Sequence, residues 1–262
     1  MSTPPYPGRI VTMGDPDQEV VATVQRRLVE RGCGPLEVGG VFEAKTRAAV
    51  RLFQSRFPDR TGVPLVVDGK VGSLTWEALF GEGSVPMVAD AIDPLLGKVL
   101  EVAAGEVGVR EEPPGSNRGP RVDEYLRALG LDPAQGSFAW CAAFVFWCFR
   151  QAADGLGRDN PVIRTGGVLD HWRRAQQQGI PRLATTDAVD DPGRIRPGMI
   201  FVLDAGGGAG HTGLVESVQG GRLITVEGNT NDDGSREGIG VFRRNGRKIA
   251  AINRGFIDYV GR

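Results

Sequence analysis

The chain has little of what would mark it for a polyanion, a membrane or a disulfide framework. Its 31 Lys and Arg residues face 32 Asp and Glu, a net charge of −1, so there is no overall field to hold a polyanion and nucleic acid is not an expected partner. The longest apolar run, FAWCAAFVFWCF, is too short to span a bilayer; it reads as a core helix, and no stable membrane association is expected. Three cysteines cannot all pair, and Cys33, Cys141 and Cys148 have neither the evenness of a disulfide framework nor the C-x-x-C spacing of a zinc site. Histidine is scarcer still, with His171 and His211 alone. Asp190-Asp191 and Asp232-Asp233 lack the alternating oxygens of a calcium loop. The glycine run in DAGGGAGHTG lacks the Lys-Ser/Thr ending of a phosphate loop. Neither a metal nor a cofactor is expected. The opening MSTPPYPGRIVTMGD shows no basic n-region and no apolar h-region, so synthesis in the cytoplasm without a signal peptide is expected.

What is present is globular in character, 40% hydrophobic and 24% charged over 262 residues, a length that suits two domains. Asp15 before Pro16, with Gln18 three positions after the cap, predicts a helix start. Val21, Val24 and Leu28 then fall on one face, and Gly32 and Gly34 stop the helix. EAKTRAAVRLFQSRF repeats the pattern, and SLTWEALF gives a short third helix after Ser73. Residues 12–81 therefore read as a small three-helix bundle. Two of its segments echo one another, GGVFEAKTRAAV and DGKVGSLTWEAL. The second, with Asp68, Gly69, Val71, Gly72 and Thr75, resembles the repeated D-G-x-[FV]-G-x-x-T pattern of the peptidoglycan-binding domain of bacterial and phage cell-wall enzymes. The first copy departs, with Gly39 in place of Asp and Glu43 in place of Gly. Residues 82–94 gather Gly, Pro and Ser and read as a linker.

From residue 95 to 262 helices come first and strands after, which predicts an α+β domain. LLGKVLEVAAGEVG and RVDEYLRAL are helical. The segment after Gly136-Ser137, ending at Gly155, is apolar almost all round and belongs at the centre of the domain. Beyond residue 197 the period changes to two, and MIFVLDA, TGLVESV, RLITVEG, GIGVFRR and RKIAAIN predict an antiparallel meander. The basic run RRNGRK straddles Asn245-Gly246 and reads as the solvated tip of a hairpin.

A thiol at a helix start is favoured as thiolate by the helix dipole and by a neighbouring histidine. Cys141, four residues after Ser137 as a candidate cap, fits that position; Cys148, two turns further in, and Cys33 read as small core hydrophobes. Of the two histidines, His171 sits in a polar helix and reads as a surface or packing residue, whereas His211 opens a strand from which it can face a helix end. An orienting third group is needed, and the next strand offers Glu227 and Asn229. A two-residue loop at Gly220-Gly221 would put both on the face opposite His211, so the arrangement requires an odd loop or a bulge.

WCAAFVFWC, GHTGLV and VEGNTN, with the upstream GVREEPPGSNRG, resemble the CHAP family of cysteine- and histidine-dependent amidohydrolases and peptidases, whose papain-like fold cuts peptidoglycan. The resemblance covers roughly residues 95–260. It implies Cys141 as nucleophile, His211 as general base and then acid, Glu227 orienting His211, and Asn229 as a further polar support. The Cys141 amide would be one oxyanion donor, with Gln135 a candidate for the second. Asn117 and Trp140 are candidate substrate contacts, and Trp172 a candidate cleft wall. The expectation is thus a monomeric, lysin-like peptidoglycan hydrolase, an amidase or endopeptidase reaching the bacterial wall after release or delivery. An injected antibacterial toxin of the same chemistry and a non-catalytic wall-binding protein remain the alternatives.

Overall fold

The computed structural model describes residues 3–91, 93–231 and 238–262; Asp232 and Asp233 lie outside the described residues. The chain divides into two compact units, Met1–Met87 with 189–193 and 219–222, and Val88–Ala188 with 194–218 and 223–262.

In the first unit α1 (Gln18–Glu30), α2 (Ala44–Arg56) and α3 (Ser73–Phe80) enclose a core that includes Val21, Val24, Leu28, Val50, Phe53 and Trp76. The helix α1 is capped by Asp17, whose side chain accepts from Val20 N–H, and not by Asp15. Asp15 is already engaged, its Oδ1 taking the Asp17 N–H and the Arg9 guanidinium, so the helix starts two residues later than expected. The echo between the two loops is physical. Buried Gln25 accepts Gly40 N–H (2.9 Å) and donates to Val41 O (2.9 Å) and Thr46 Oγ1 (3.0 Å). Gln54 accepts Gly69 N–H (2.9 Å) and donates to Lys70 O (2.9 Å) and Thr75 Oγ1 (3.3 Å). Gly40 and Gly69 both sit at positive φ (74° and 77°), where a side chain would be strained. The second copy adds Asp68 Oδ1 as an acceptor for Gln54 (2.9 Å); Gly39 supplies none in the first.

The second unit mixes helices with a six-stranded antiparallel sheet and is α+β. Asp93 caps α4 (Pro94–Gly105) through Leu95 and Leu96 N–H. It is followed by α5 (Pro120–Leu129), α6 (Cys141–Gly155) and α7 (Val168–Gln177). The strands β1 (Arg182–Ala184), β2 (Ile200–Gly206), β3 (Ala209–Gln219), β4 (Arg222–Thr230), β5 (Gly240–Lys248) and β6 (Gly255–Ile257) lie in the order β1-β6-β2-β3-β4-β5. A meander β2 to β5 is thus extended past β2 by two three-residue strands, with Ile200 opposite Leu214 on one side and Ile257 on the other. RKIAAIN is not a strand: β5 ends at Lys248, and Ile249–Ala251 form a 3-10 turn.

RRNGRK is not a hairpin tip either. It lies within β5, and Gly246, at φ 88°, gives the strand a local twist instead of reversing it, as a glycine bulge does.

The central helix α6 is buried at every position from Cys141 to Phe149, which is why its sequence shows no polar stripe. It packs against α4 and α5 and, on another side, against β4 at Gly228. A Cβ there would lie 2.7 Å from Phe144 Cβ and 2.8 Å from Trp140 Cζ3, so helix and sheet meet at a distance only glycine permits.

Candidate active site

The helix α6 begins at Cys141 itself. Trp140 is the capping residue and offers no side-chain cap; its carbonyl accepts Phe144 N–H (2.9 Å). The expected cap, Ser137, is used elsewhere, its Oγ accepting from Asn117 Nδ2 (3.0 Å). Cys141 therefore stands in the first turn, where amides lack intrahelical partners and the dipole is strongest. It is 3% exposed.

His211 comes from β3, opposite Leu203 of β2, with its ring 5.8 Å from that of Phe201. Its Nε2 meets Glu227 Oε2 at 2.8 Å. Only Gly220 and Gly221 separate β3 from β4, the loop length that in a regular ladder sets these two side chains on opposite faces. Their contact requires a one-residue offset between the turn and the site. Gly213 marks the same face, since a Cβ there would lie 2.9 Å from Glu227 Cγ.

The Glu227 carboxylate is fully engaged. Arg247 donates Nε to Oε1 (2.9 Å) and Nη2 to Oε2 (2.7 Å), and Thr225 Oγ1 donates to Oε1 (2.5 Å). The Arg247 guanidinium also lies 5.2 Å over Phe201. Burial would raise the Glu227 pKa, but His211 and Arg247 reverse this and hold it well below the usual carboxylate range. Burial would likewise lower the His211 pKa; the Cys141 thiol and the Glu227 carboxylate beside the ring turn it upward, to about 9. With Nε2 held by the carboxylate, Nδ1 is buried and makes no hydrogen bond, and the Cys141 thiol is the other group beside the ring that shifts its pKa. Partner assignment thus gives the two nitrogens their roles, with Nε2–H on the carboxylate and Nδ1 as the nitrogen that can hold the sulfur's proton.

Asn229 does not join His211. It adopts a left-handed conformation (φ 54°), tolerable for Asn, which takes its side chain out of the strand's alternation. With the amide oriented so that both ends are paired, Oδ1 accepts Trp140 N–H (3.1 Å) and Nδ2 donates to Gly238 O (3.3 Å). Trp140 is no cleft wall. It is wholly buried, stacked on Tyr125 at 5.7 Å, and its indole N–H bonds Glu111 Oε1 (2.8 Å). Gln135 makes no hydrogen bond to Cys141 or His211; its amide donates to Asp132 Oδ2 (3.1 Å). Asn117 is half-buried beside Ser137 in the run-in to Cys141. Trp172 lies beneath the Arg182 guanidinium (4.4 Å), and Gly255 approaches its ring closely.

His171 is a packing residue, its Nε2 2.8 Å from Tyr259 Oη; burial holds its pKa down at about 4. Cys148 is completely buried and its thiol is pushed well up by burial. Among the described residues no group of three or more His, Cys, Asp or Glu is disposed to hold a metal ion, and no helix is long and apolar enough to cross a membrane. Arg247, Thr225 and Glu111 are the residues that sequence reasoning missed. A basic side chain directly after an Asn-Gly pair carries no signal of burial until Gly246 is known to lie inside a strand.

Two family models match the chain. The CHAP domain covers residues 133–229, spanning Cys141, His211 and Glu227, and the family described as "Putative peptidoglycan binding domain" covers residues 17–79. The chain carries a CHAP domain behind a peptidoglycan-binding domain. Together the two make it a peptidoglycan hydrolase, with peptidoglycan as its partner. Arg247 and Glu111 lie outside the matched part of the CHAP domain. No curated protein and no solved structure matches the chain.

Proposed function

We propose that the CHAP domain cleaves an amide bond of peptidoglycan with Cys141 as nucleophile and His211 as the proton carrier. One observation carries the reading: His211 is gripped on Nε2 by Glu227 and its ring lies beside a thiol at the first position of a buried helix. Nδ1 takes the thiol proton as sulfur attacks the carbonyl carbon. The oxyanion that forms is received by the Cys141 N–H in the first turn of α6, where the dipole favours negative charge. Collapse breaks the C–N bond, and the departing amine takes the proton from Nδ1. Water then attacks the thioester, giving its proton to Nδ1; the carboxylic acid leaves and the thiol is restored. Glu227 orients the ring and stabilises its cationic form, as the third member of such triads does. The N-terminal domain tethers the enzyme to the wall and raises the effective concentration of substrate.

Cys141→Ala is expected to abolish lysis of purified walls while leaving sedimentation with those walls unchanged. Lysis by this variant at more than a trace of the wild-type rate would overturn the reading. Mass spectrometry of the released fragments decides between the sugar-to-peptide amide and a bond within the peptide.

A further inference from the structure

Glu111 is a carboxylate in the core of the second unit, 2% exposed, with one hydrogen bond to its side chain. Its Oε1 accepts the indole N–H of Trp140; its Oε2 is buried and has no donor. Burying a carboxylate so sparsely satisfied is costly, and folds keep such groups where they serve a purpose. The bond that Glu111 does make identifies the purpose, because Trp140 is the residue from which α6 and Cys141 begin.

The surroundings bear this out. Residues 108–111 form a strap pinned to the start of β5, through Gly108 N–H to Val241 O (3.0 Å), Val241 N–H to Val109 O (2.9 Å) and Glu111 N–H to Ile239 O (2.8 Å). Asn229, which holds the Trp140 backbone N–H, leans on the same stretch through Gly238 O. The loop that follows the strap closes on itself, Glu112 N–H to Arg118 O (2.9 Å), and sends Asn117 to Ser137. Ser137 and Trp140 are therefore held at three points immediately ahead of the thiol, and Glu111 supplies the one that fixes the indole. We propose that Glu111 is a positioning residue for Cys141, acting through the Trp140 side chain. This rests on Cys141 being the nucleophile; Glu111 itself touches no reacting atom.

The test reads the thiol directly in the full-length protein, by site-resolved mass spectrometry of iodoacetamide labelling at pH 7, alongside lysis of purified walls. Glu111→Ala is expected to slow Cys141 alkylation and lysis about tenfold, the scale set by losing a hydrogen bond to a charged group. Half-saturation by wall substrate should stay unchanged. Glu111→Gln keeps an oxygen for the indole N–H and is expected to recover both rates to within about threefold. Trp140→Phe removes the donor and is expected to repeat the alanine loss, and the Glu111→Ala/Trp140→Phe double variant to be no slower than either. The inference is overturned if folded Glu111→Ala alkylates at the wild-type rate, if Glu111→Gln is as slow as Glu111→Ala, or if Trp140→Phe alkylates normally. Should Glu111→Ala show no cooperative melt, the glutamine and phenylalanine variants decide by the same criteria. A protein that shows these alkylation dependences but lyses no wall would remove the proposed hydrolysis and leave the role of Glu111 standing.

Discussion

Replacing Arg247 with methionine removes two of the four donors on the Glu227 carboxylate and leaves His211 and Thr225. Each hydrogen bond to a charged group contributes about 1.5–3 kcal/mol, so the loss is about 3–6 kcal/mol. That agrees with the roughly 3–5 kcal/mol for breaking one side of a buried ion pair; Arg247 is only 11% exposed and Glu227 not at all. At about 2–4 °C per kcal/mol for a domain of this size, thermal denaturation at pH 7 should shift down by about 6–24 °C. Without the guanidinium, burial dominates the Glu227 pKa and moves it upward. The acid limb of the pH–rate profile for wall lysis should then move to higher pH, because the carboxylate that orients His211 is lost earlier as pH falls. Arg247→Lys keeps the charge without the two-pronged fork and should lie between. A methionine variant that melts with the wild type and keeps its acid limb would refute the claim that Arg247 holds Glu227 ionised and in place.

Three further outcomes are expected. His171 is held neutral, at about 4 against an ordinary 6.5, so the unfolded chain binds its proton first. The contribution of His171 to stability is full above pH 6.5 and falls by about 3 kcal/mol as pH drops to 4; in denaturant titrations the wild type should lose that much more stability over this range than His171→Gln. Gly228→Ala forces a methyl against Phe144 and Trp140; overpacking of this kind costs about 1–3 kcal/mol, and wall lysis should fall with melting temperature. Gln54→Ala strands Gly69 N–H and Lys70 C=O, a loss of at least about 2 kcal/mol. It should weaken retention on walls while hydrolysis of a soluble wall peptide is unchanged.

The parts of this fold that were legible are those where one residue type is scarce or one pattern is unbroken. An apolar stretch from Phe138 to Phe149 has no polar stripe to turn outward, so it had to be central. With two histidines in the chain, the one at a strand end was the natural partner for a thiol at a helix start. Much of the rest depended on backbone irregularity, which periodicity does not encode. The one-residue offset between β3 and β4, the bend at Gly246 and the left-handed Asn229 each redirect a side chain by local geometry. Asn229 looked like support for the imidazole because alternation from Glu227 sends it there. Arg247 looked solvated because Asn-Gly most often closes a hairpin. Strands β1 and β6 are three residues each, too short to show a period and paired across some 70 positions of chain.

The crowding around Glu227 limits what the domain can do if it loses its imidazole. An ionised carboxylate offers about four lone-pair directions, and here four donors occupy them. Loss of His211 frees the one direction on Oε2 that its ring fills, but Arg247 and Thr225 still hold the other three and keep the carboxylate ionised, so the acid group is too weak a base to step in. A chain lacking His211 has no internal backup, and the proton would have to be carried by a small amine supplied from outside.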